Sequence, residues 1–401
     1  MSTFAWLDHS EKQRRQMLEA IDLFREKDTR DEMGIAGIRD AFADMLFPGT
    51  GALQTRARYF LFIPWMYLQF DTARVSSAEV GRKGREYEIE LINRLADSVD
   101  PDGTIGIQSR SSLQRIPSSI YWNGLKLWGI CQFPGSQAEY QHSFDRQRAT
   151  NIRRNDDGEI VGLMARSWHA NVPPAPASFP SQACFTLTSE EARYLKGRVL
   201  ETHRPSLFAF LLDHDYVDVD AEFIWTHPAS QQAPIGLQRK INHARCFSEV
   251  MHGAAILYNL FLGELDPIRD EVIKSCETML DEWFALLSGR HQALATWDRE
   301  DFWNLLSERM KPPSFAAHQF VEAWCNLVLS GNLARLRADE GAKRLIFNRE
   351  AEIKGALARC NNRRSREMWR GDAGTGRLGF RWSNARVLLR DISGGPAGEH
   401  A

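Results

Sequence analysis

Two long segments with an apolar residue at every third or fourth position constrain the fold of this chain most. They cover about 237–262 and 267–287, and a GlyGluLeuAspPro turn lies between them. Apolar residues at this spacing share one face of an α-helix, and two such helices joined by a short turn pack as an antiparallel hairpin. Two further helices are predicted over 302–310 and 315–329. We therefore expect a mainly α fold with minor β and a helical, bundle-like C-terminal half.

The stretch Gly34–Phe70 is the most informative part of the N-terminal half. It predicts a helix that ends at Pro48-Gly49, a cationic segment at Gln54–Arg58, and then an apolar extended segment. An amphipathic helix over about 10–24 precedes it. This order of elements is compatible with a helix-turn-helix or winged unit.

Three arginines of this stretch are candidate phosphate contacts. In a helix-turn-helix or winged unit, Arg39, Arg56 and Arg58 would contact the nucleic-acid backbone. The alternative is that they pair with carboxylates such as Asp40 and Asp44 and hold helices together. The sequence leaves both interpretations open.

Weaker signals follow up to residue 172. The sequence predicts a helix over Glu86–Leu95, a strand-like piece over 104–110, a helix from Pro117 to Trp128, and a polar turn over Asn151–Gly158. The aromatic residues of the second helix would either stack on bases or fill the core. These residues are Tyr121, Trp122 and Trp128.

A proline-rich segment at 173–180 is the strongest linker signal, because closely spaced prolines preclude a regular helix. We place a domain boundary there. The N-terminal α(+β) domain would cover 1–172, and a helical C-terminal domain would cover 181–395 and carry a basic tail at 335–390. In that tail, Ser383 is the predicted N-cap of a last helix.

Charge is segregated along the chain although the net charge is only −2. Residues 173–334 hold 13 Lys/Arg against 21 Asp/Glu, which gives −8, and residues 335–401 hold 15 against 8, which gives +7. Either these segments neutralise each other within the fold, or the basic tail faces a polyanion. Between Lys354 and Arg390 there are ten Lys/Arg and two Asp/Glu, interleaved with aromatic residues.

Cations next to exposed aromatic rings are typical of nucleic-acid-binding surfaces, so the tail is a candidate site for DNA or RNA. The alternative is an amphipathic helix pair whose arginine stems and tryptophan rings pack inside the protein. The candidate residues of the tail are Arg363, Arg364, Arg366, Arg370, Arg381, Trp369 and Trp382.

The acidic cluster at 213–222 is the one candidate metal site. If 217–222 is a strand, Asp218, Asp220 and Glu222 share a face and suit Mg²⁺, as in a phosphodiester-cleaving site. The alternative is a half-buried edge strand with a solvated acidic face. No other cofactor is expected, because the glycine-rich segment 371–376 lacks the lysine of a phosphate-binding loop and is predicted to be a flexible turn.

Histidines and cysteines give no metal-binding pattern. His243, Cys246 and His252 lie on one predicted helix but not on one face, which argues against one metal site. We expect His252 to be a hydrogen-bonded interior residue. The six cysteines lie at least 30 residues apart and are expected to be reduced. We expect no membrane span and a cytoplasmic location, because no segment has enough consecutive apolar residues.

Several short motifs resemble those of an uncharacterised bacterial family of about the same length as this chain. They are ThrPheAlaTrpLeuAsp at Thr3–Asp8, LeuPheArgGluLysAspThrArgAspGlu at Leu23–Glu32, IleArgAspAlaPheAla at Ile38–Ala43, LeuPheProGlyThr at Leu46–Thr50 and GlnThrArgAlaArgTyrPheLeuPhe at Gln54–Phe62. The resemblance implies a gene neighbourhood typical of phage defence, beside helicases, methyltransferases or phospholipase-D-like proteins. It implies partner proteins encoded nearby, and it carries over no active-site residue.

From the sequence we expect a non-catalytic, nucleic-acid-associated or adaptor subunit of a bacterial multi-protein system. The motifs of common hydrolases, metalloproteases and dinucleotide-binding enzymes do not occur. The first alternative is a metal-dependent nuclease that uses the 213–222 cluster. The second is a scaffold that binds only protein.

Overall fold

A computed structural model gives the fold of most of the chain. It describes residues 31–150, 152–154, 160–163, 167–216, 220–266, 269–308, 313–330 and 333–394. Their regular structure is almost entirely helical, which confirms the mainly α prediction. The helix predicted over 10–24 lies outside these residues.

The secondary-structure elements are numbered in chain order. The helices are α1 (Ala36–Leu46), α2 (Tyr59–Thr72), α3 (Val80–Ala96), α4 (Pro117–Leu127), α5 (Gln137–His142), α6 (Phe144–Thr150), α7 (Ser189–His203), α8 (Leu207–Asp213), α9 (Ala229–Gln232), α10 (Ile235–Glu264), α11 (Asp270–Ala295), α12 (Arg299–Ser307), α13 (Phe315–Leu329), α14 (Glu340–Lys354), α15 (Arg363–Glu367) and α16 (Trp382–Ser393). Strands β1 (Ile152–Arg154) and β2 (Ile160–Leu163) form an antiparallel pair. No described helix is both long enough and apolar enough to cross a membrane.

The chain groups into two compact units. The first comprises residues 1–42 and 242–378, and the second comprises residues 43–241 and 379–401. The divisions fall within α1, within α10 and between residues 378 and 379. The proline-rich segment 173–180, where the sequence places a domain boundary, lies inside the second unit and does not separate the two.

Helix α2 is the centre of the second unit. Its residues from Tyr59 to Tyr67 are all buried, so this helix is apolar on every side. The ring of Phe60 stacks on Trp128 with centroids 3.9 Å apart, and the indole N–H of Trp65 donates to the carbonyl oxygen of Pro173 at 2.6 Å. Trp128 and Tyr121 of the neighbouring segment are also fully buried, which confirms the core-filling alternative for these rings.

The prediction of an extended segment after Arg58 is wrong, because this segment is α2. Apolar residues on every side of a buried helix leave no 3.6-residue periodicity, so a buried helix and a buried strand give the same sequence pattern. The helix also contains Pro64, a residue that disfavours helix interiors. A winged unit with an extended segment at this position is therefore not formed.

Three smaller predictions in the second unit also differ from the structure. Residues 104–110 form turns rather than a strand, because Gly103 and Gly106 adopt positive φ angles of 87° and 77°. Part of the predicted polar turn at 151–158 is β1. Helix α16 begins one residue before Ser383, and Arg381 occupies the N-cap position with a left-handed φ of 64°.

Helix α10, from Asn242 onward, is the centre of the first unit. Gly263 of α10 lies against Ile273 of α11, and the backbone carbonyl oxygen of Glu249 accepts a hydrogen bond from the Trp283 indole at 2.7 Å. The two helices therefore run antiparallel, as predicted. Trp324 of α13 donates to the next carbonyl oxygen, that of Val250, at 2.9 Å. Two indoles that bind backbone oxygens of one helix hold α11 and α13 against it.

Candidate functional site

The arginines of the cationic segment before α2 form ion pairs within the second unit. Nη1 of Arg56 donates to Asp100 at 2.7 Å, and Nε donates to Asp391 at 3.1 Å. The backbone N–H of Ala57 also donates to Asp391, at 2.7 Å. Burial raises the pKa of Asp391, and the hydrogen bonds from Arg56 and Ala57 oppose this rise. Arg56 therefore ties α16 to the start of α2 within the second unit.

Arg58 is buried and has a buried partner. Its Nη2 donates to Glu191 of α7 at 2.8 Å, and its Nη1 donates to the carbonyl oxygen of Cys184 at 3.0 Å. Only 6 % of Arg58 is exposed, so a phosphate would have to break the ion pair to reach it. Glu191 also forms a capping box with Thr188 at the start of α7.

Arg39 and Arg381 are paired at the surface. Arg39, on the first-unit part of α1, pairs with Asp40 at 3.1 Å. In the second unit, Nη1 of Arg381 donates to Asp44 at 2.6 Å and to the carbonyl oxygen of Thr50 at 2.9 Å. The ion-pair alternative thus describes these two arginines as well as Arg56 and Arg58.

The two tryptophans of the basic tail are not exposed, so the prediction of surface rings is wrong. Trp369 is 3 % exposed, and its indole donates to Asn259 of α10 at 3.0 Å. Trp382 is 2 % exposed, and its indole donates to the carbonyl oxygen of Ala221 at 2.8 Å. The first lies in the first unit and the second in the second unit. Neither ring is available to stack on a base.

Several other cations of the tail neutralise buried carboxylates of the first unit. Arg359 donates to Glu32 at 2.6 Å, and Lys354 forms a hydrogen bond with the same carboxylate. Arg377 of the tail lies 3.8 Å from Glu249, a carboxylate that is fully buried. The basic excess of this part of the sequence is thus partly internal, which a linear count of charges does not show.

One exposed part of the tail is a short arginine segment, which we define as residues 363–370. It contains four arginines and one glutamate. Arg363 has an exposed side chain, at 86 %, and pairs with Glu367 of the same helical turn at 3.2 Å. Arg364 and Arg370 are exposed and form no ion pair with another described residue. These three guanidinium groups are accessible to a polyanion.

The arginine segment is held in place by three contacts. The side chain of Asn362 caps α15 by accepting the N–H of Ser365. Arg366 turns inward, and its Nη1 donates to the carbonyl oxygens of Arg359 at 2.6 Å and Cys360 at 3.2 Å. Trp369 anchors the end of the segment on α10. Arg366 and Trp369 therefore position the segment, while the exposed arginines lie at its surface.

The described part of the acidic cluster is not a strand. Asp218 lies outside the described residues, and Asp220 and Glu222 are exposed and not in a strand. Asp220 forms an ion pair with Arg386 of α16. Among the described residues, no group of three His, Cys, Asp or Glu side chains is placed to hold a metal ion.

Both histidines of α10 are hydrogen-bonded, and His243 is buried while His252 is half-buried. The Nδ1 atom of His243 accepts the indole N–H of Trp297 at 3.0 Å, and its Nε2–H donates to Asp301 at 2.9 Å. His252 is bonded through Nε2 to the carbonyl oxygen of Thr375 at 2.8 Å, and burial lowers its pKa. The glycine-rich segment 371–376 thus packs on α10 as an ordered turn.

The comparisons with known proteins define the family. The model of a family of unknown function, DUF6361, matches residues 1–395. The chain therefore belongs to this family, and the match confirms the resemblance to an uncharacterised family over nearly its whole length. No curated protein and no solved structure shows significant similarity to it.

Proposed function

We propose that this protein is a non-catalytic, nucleic-acid-associated or adaptor subunit of a bacterial multi-protein system, and that the arginine segment 363–370 is its polyanion contact. The observation that supports the proposal is that some arginines of the tail bond inside the protein while others are exposed. Arg359 and Arg366 are used internally, while Arg363, Arg364 and Arg370 remain exposed. The placement in phage defence rests on the family resemblance alone.

Phosphate contact suits this geometry better than base recognition. A guanidinium presents N–H donors in a planar fork that matches two phosphate oxygens. The segment has no exposed aromatic ring, since Trp369 is buried. Phosphate contacts position a protein on nucleic acid without reading bases, so we propose binding that is insensitive to sequence.

Exposed apolar side chains beside the arginines support the adaptor part of the proposal. Met368, within the segment, is 73 % exposed, and Leu357, six residues before Arg363, is 61 % exposed. Large apolar side chains at this exposure next to a charged segment are typical of surfaces that bind another macromolecule.

The test compares two triple charge reversals with the same change in net charge. Arg363→Glu/Arg364→Glu/Arg370→Glu alters the arginine segment. Arg115→Glu/Arg193→Glu/Arg204→Glu alters three exposed arginines of the second unit that form no ion pair with a described residue. Arg366 is left intact because its loss would release the backbone that it holds.

Binding to a fluorescent single-stranded oligonucleotide and to a duplex is measured for the wild type and both variants at low salt. We expect the segment variant to lose at least tenfold in affinity for every sequence and the control to lose less than threefold. Equal losses would assign the binding to net charge alone. Unchanged binding in the segment variant would contradict the proposal.

A further inference from the structure

A groove in the first unit lies between α13 and α14. It has a volume of about 950 Å³. Phe315, the first residue of α13, lines the groove and is 75 % exposed. Four further apolar side chains of the lining are half-buried, so the groove presents an apolar surface that no described residue covers. These four are Ala316, Ala323, Leu345 and Ala351.

The described part of the chain begins beside this groove. The carbonyl oxygen of Met33 accepts a hydrogen bond from Nε of Arg349 in α14 at 3.0 Å. The guanidinium carbon of Arg349 lies 5.8 Å from the ring centroid of Phe320 in α13, and both residues line the groove. Residue 31, the first that the structure describes, is therefore two positions from a direct contact with the groove lining.

The sequence before residue 31 contains a segment whose pattern suits such a groove. An amphipathic helix is predicted over about 10–24, with Met17, Ile21 and Phe24 on one face. Their spacing, i, i+4 and i+7, is the pattern by which an amphipathic helix binds in an apolar groove. A link of six residues then leads to residue 31, and six residues span up to about 20 Å. This length is enough to reach the groove from its edge.

We propose that the groove between α13 and α14 binds segment 10–24 of the same chain. The apolar face of the segment meets Phe315 and the half-buried side chains around it, and removal of both apolar surfaces from water supplies the driving force. No residue of the arginine segment lines the groove, so this proposal and the proposed polyanion contact can fail independently.

The test uses a photo-crosslinking amino acid in the full-length protein. Benzoylphenylalanine replaces Phe315, another aromatic residue, and mass spectrometry identifies the peptide that it captures. The same probe at Leu357 is the control, because Leu357 is 61 % exposed in the first unit and does not line the groove. Equal amounts of ¹⁵N-labelled and unlabelled protein are mixed at low concentration, so that a crosslink between two chains carries mixed labels.

Two aspartate variants test the orientation of the segment. Ile21→Asp places a charge on its apolar face, and Gln16→Asp places the same charge outside that face. Ala323→Trp fills the groove from α13 and leaves the segment unchanged, so it serves as the second variant if Ile21→Asp fails to fold.

We expect the probe at Phe315 to capture a peptide within 10–24 of the same chain, with a yield at least ten times that of the probe at Leu357. Ile21→Asp and Ala323→Trp should lower this yield at least tenfold, and Gln16→Asp should lower it less than twofold. A crosslink between two chains would assign the groove to a second copy and overturn the proposal. Capture of another region, no capture, or equal yields from the two aspartate variants would also overturn it.

Discussion

Arg58 and Glu191 form an ion pair that is almost completely buried in the second unit, with Nη2 and Oε1 2.8 Å apart. Arg58 precedes α2, and Glu191 belongs to the first turn of α7. The pair thus connects two helices that are distant in sequence. It also removes Arg58 from the set of arginines that can contact phosphate.

Arg58→Met should destabilise the protein strongly, because it leaves the Glu191 carboxylate buried without its cation. We expect the free energy of unfolding to fall by about 3–5 kcal/mol. Combining it with Glu191→Gln should cost less than the sum of the two single changes, because the double variant leaves no uncompensated charge. Denaturant unfolding of the four proteins measures this. Additive costs would show that the pair is not coupled.

Helix α13 begins and ends at the residues that the sequence predicts, because apolar residues at helical spacing mark its extent. The predicted bounds of α10 and α12 differ from the observed ones by two or three residues at each end. Those of α11 differ by three residues at its start and by eight at its end. Helix α2 was missed because it is apolar on every side, and β1 because its sequence is polar. The grouping of 1–42 with 242–378 depends on long-range contacts, which no local composition signal reports.

Gly253→Ala should destabilise the first unit because Trp283 lies directly over this glycine. A Cβ at Gly253 would lie 2.2 Å from the Trp283 ring, so the indole that holds α11 on α10 would have to move. We expect a loss of about 1–3 kcal/mol, as for other overpacked cores. Thermal and denaturant unfolding measure it.

Gly289→Ala is the matched control, since this glycine of α11 has nothing within 4 Å of an added Cβ. Alanine is the better helix former, so this change should stabilise the protein by about 0.5–1 kcal/mol. Similar effects of the two alanines would contradict the packing of Trp283 on Gly253.

Glu88 should make the stability of the second unit depend on pH. Burial raises the pKa of this fully buried carboxyl to about 7, against the hydrogen bonds that it accepts from Ser118. Between about pH 4.5 and 7 the unfolded state releases this proton while the folded state keeps it, so the free energy of unfolding falls as pH rises. The contribution is about 3 kcal/mol over the whole window.

Glu88→Gln should remove that contribution, because a neutral amide does not titrate. We expect the stability difference between Glu88→Gln and wild type to shift in favour of the variant as pH rises from about 4.5 to 8. Glu90→Gln, an exposed carboxylate of the same helix, is the control. Parallel pH profiles for wild type and Glu88→Gln would contradict the burial argument.

The nuclease alternative makes a separate prediction for Asp220. If Asp218, Asp220 and Glu222 bind Mg²⁺, millimolar metal should raise the melting temperature, and Asp220→Asn should abolish the rise. The ion pair of Asp220 with Arg386 predicts instead that Mg²⁺ leaves the melting curve unchanged in both proteins. Thermal unfolding with and without Mg²⁺ separates the two.

Of the candidate site, the sequence located the arginine segment but not which of its cations are accessible. Arg363 and Arg366 are three residues apart and chemically identical, yet one is exposed and the other donates to backbone oxygens. The sequence leaves open whether Trp369 and Trp382 are surface or core rings, because an amphipathic basic helix gives the same pattern in both cases.

The salt dependence of nucleic-acid binding by the wild-type protein tests the central claim most directly. If Arg363, Arg364 and Arg370 each contact a phosphate, the logarithm of the association constant should fall against the logarithm of salt concentration with a slope of about −2 to −3. The triple reversal of these arginines should bring the slope close to zero. No binding at about 50 mM salt, where phosphate contacts are little screened, or a slope that the triple reversal leaves unchanged, would contradict the account.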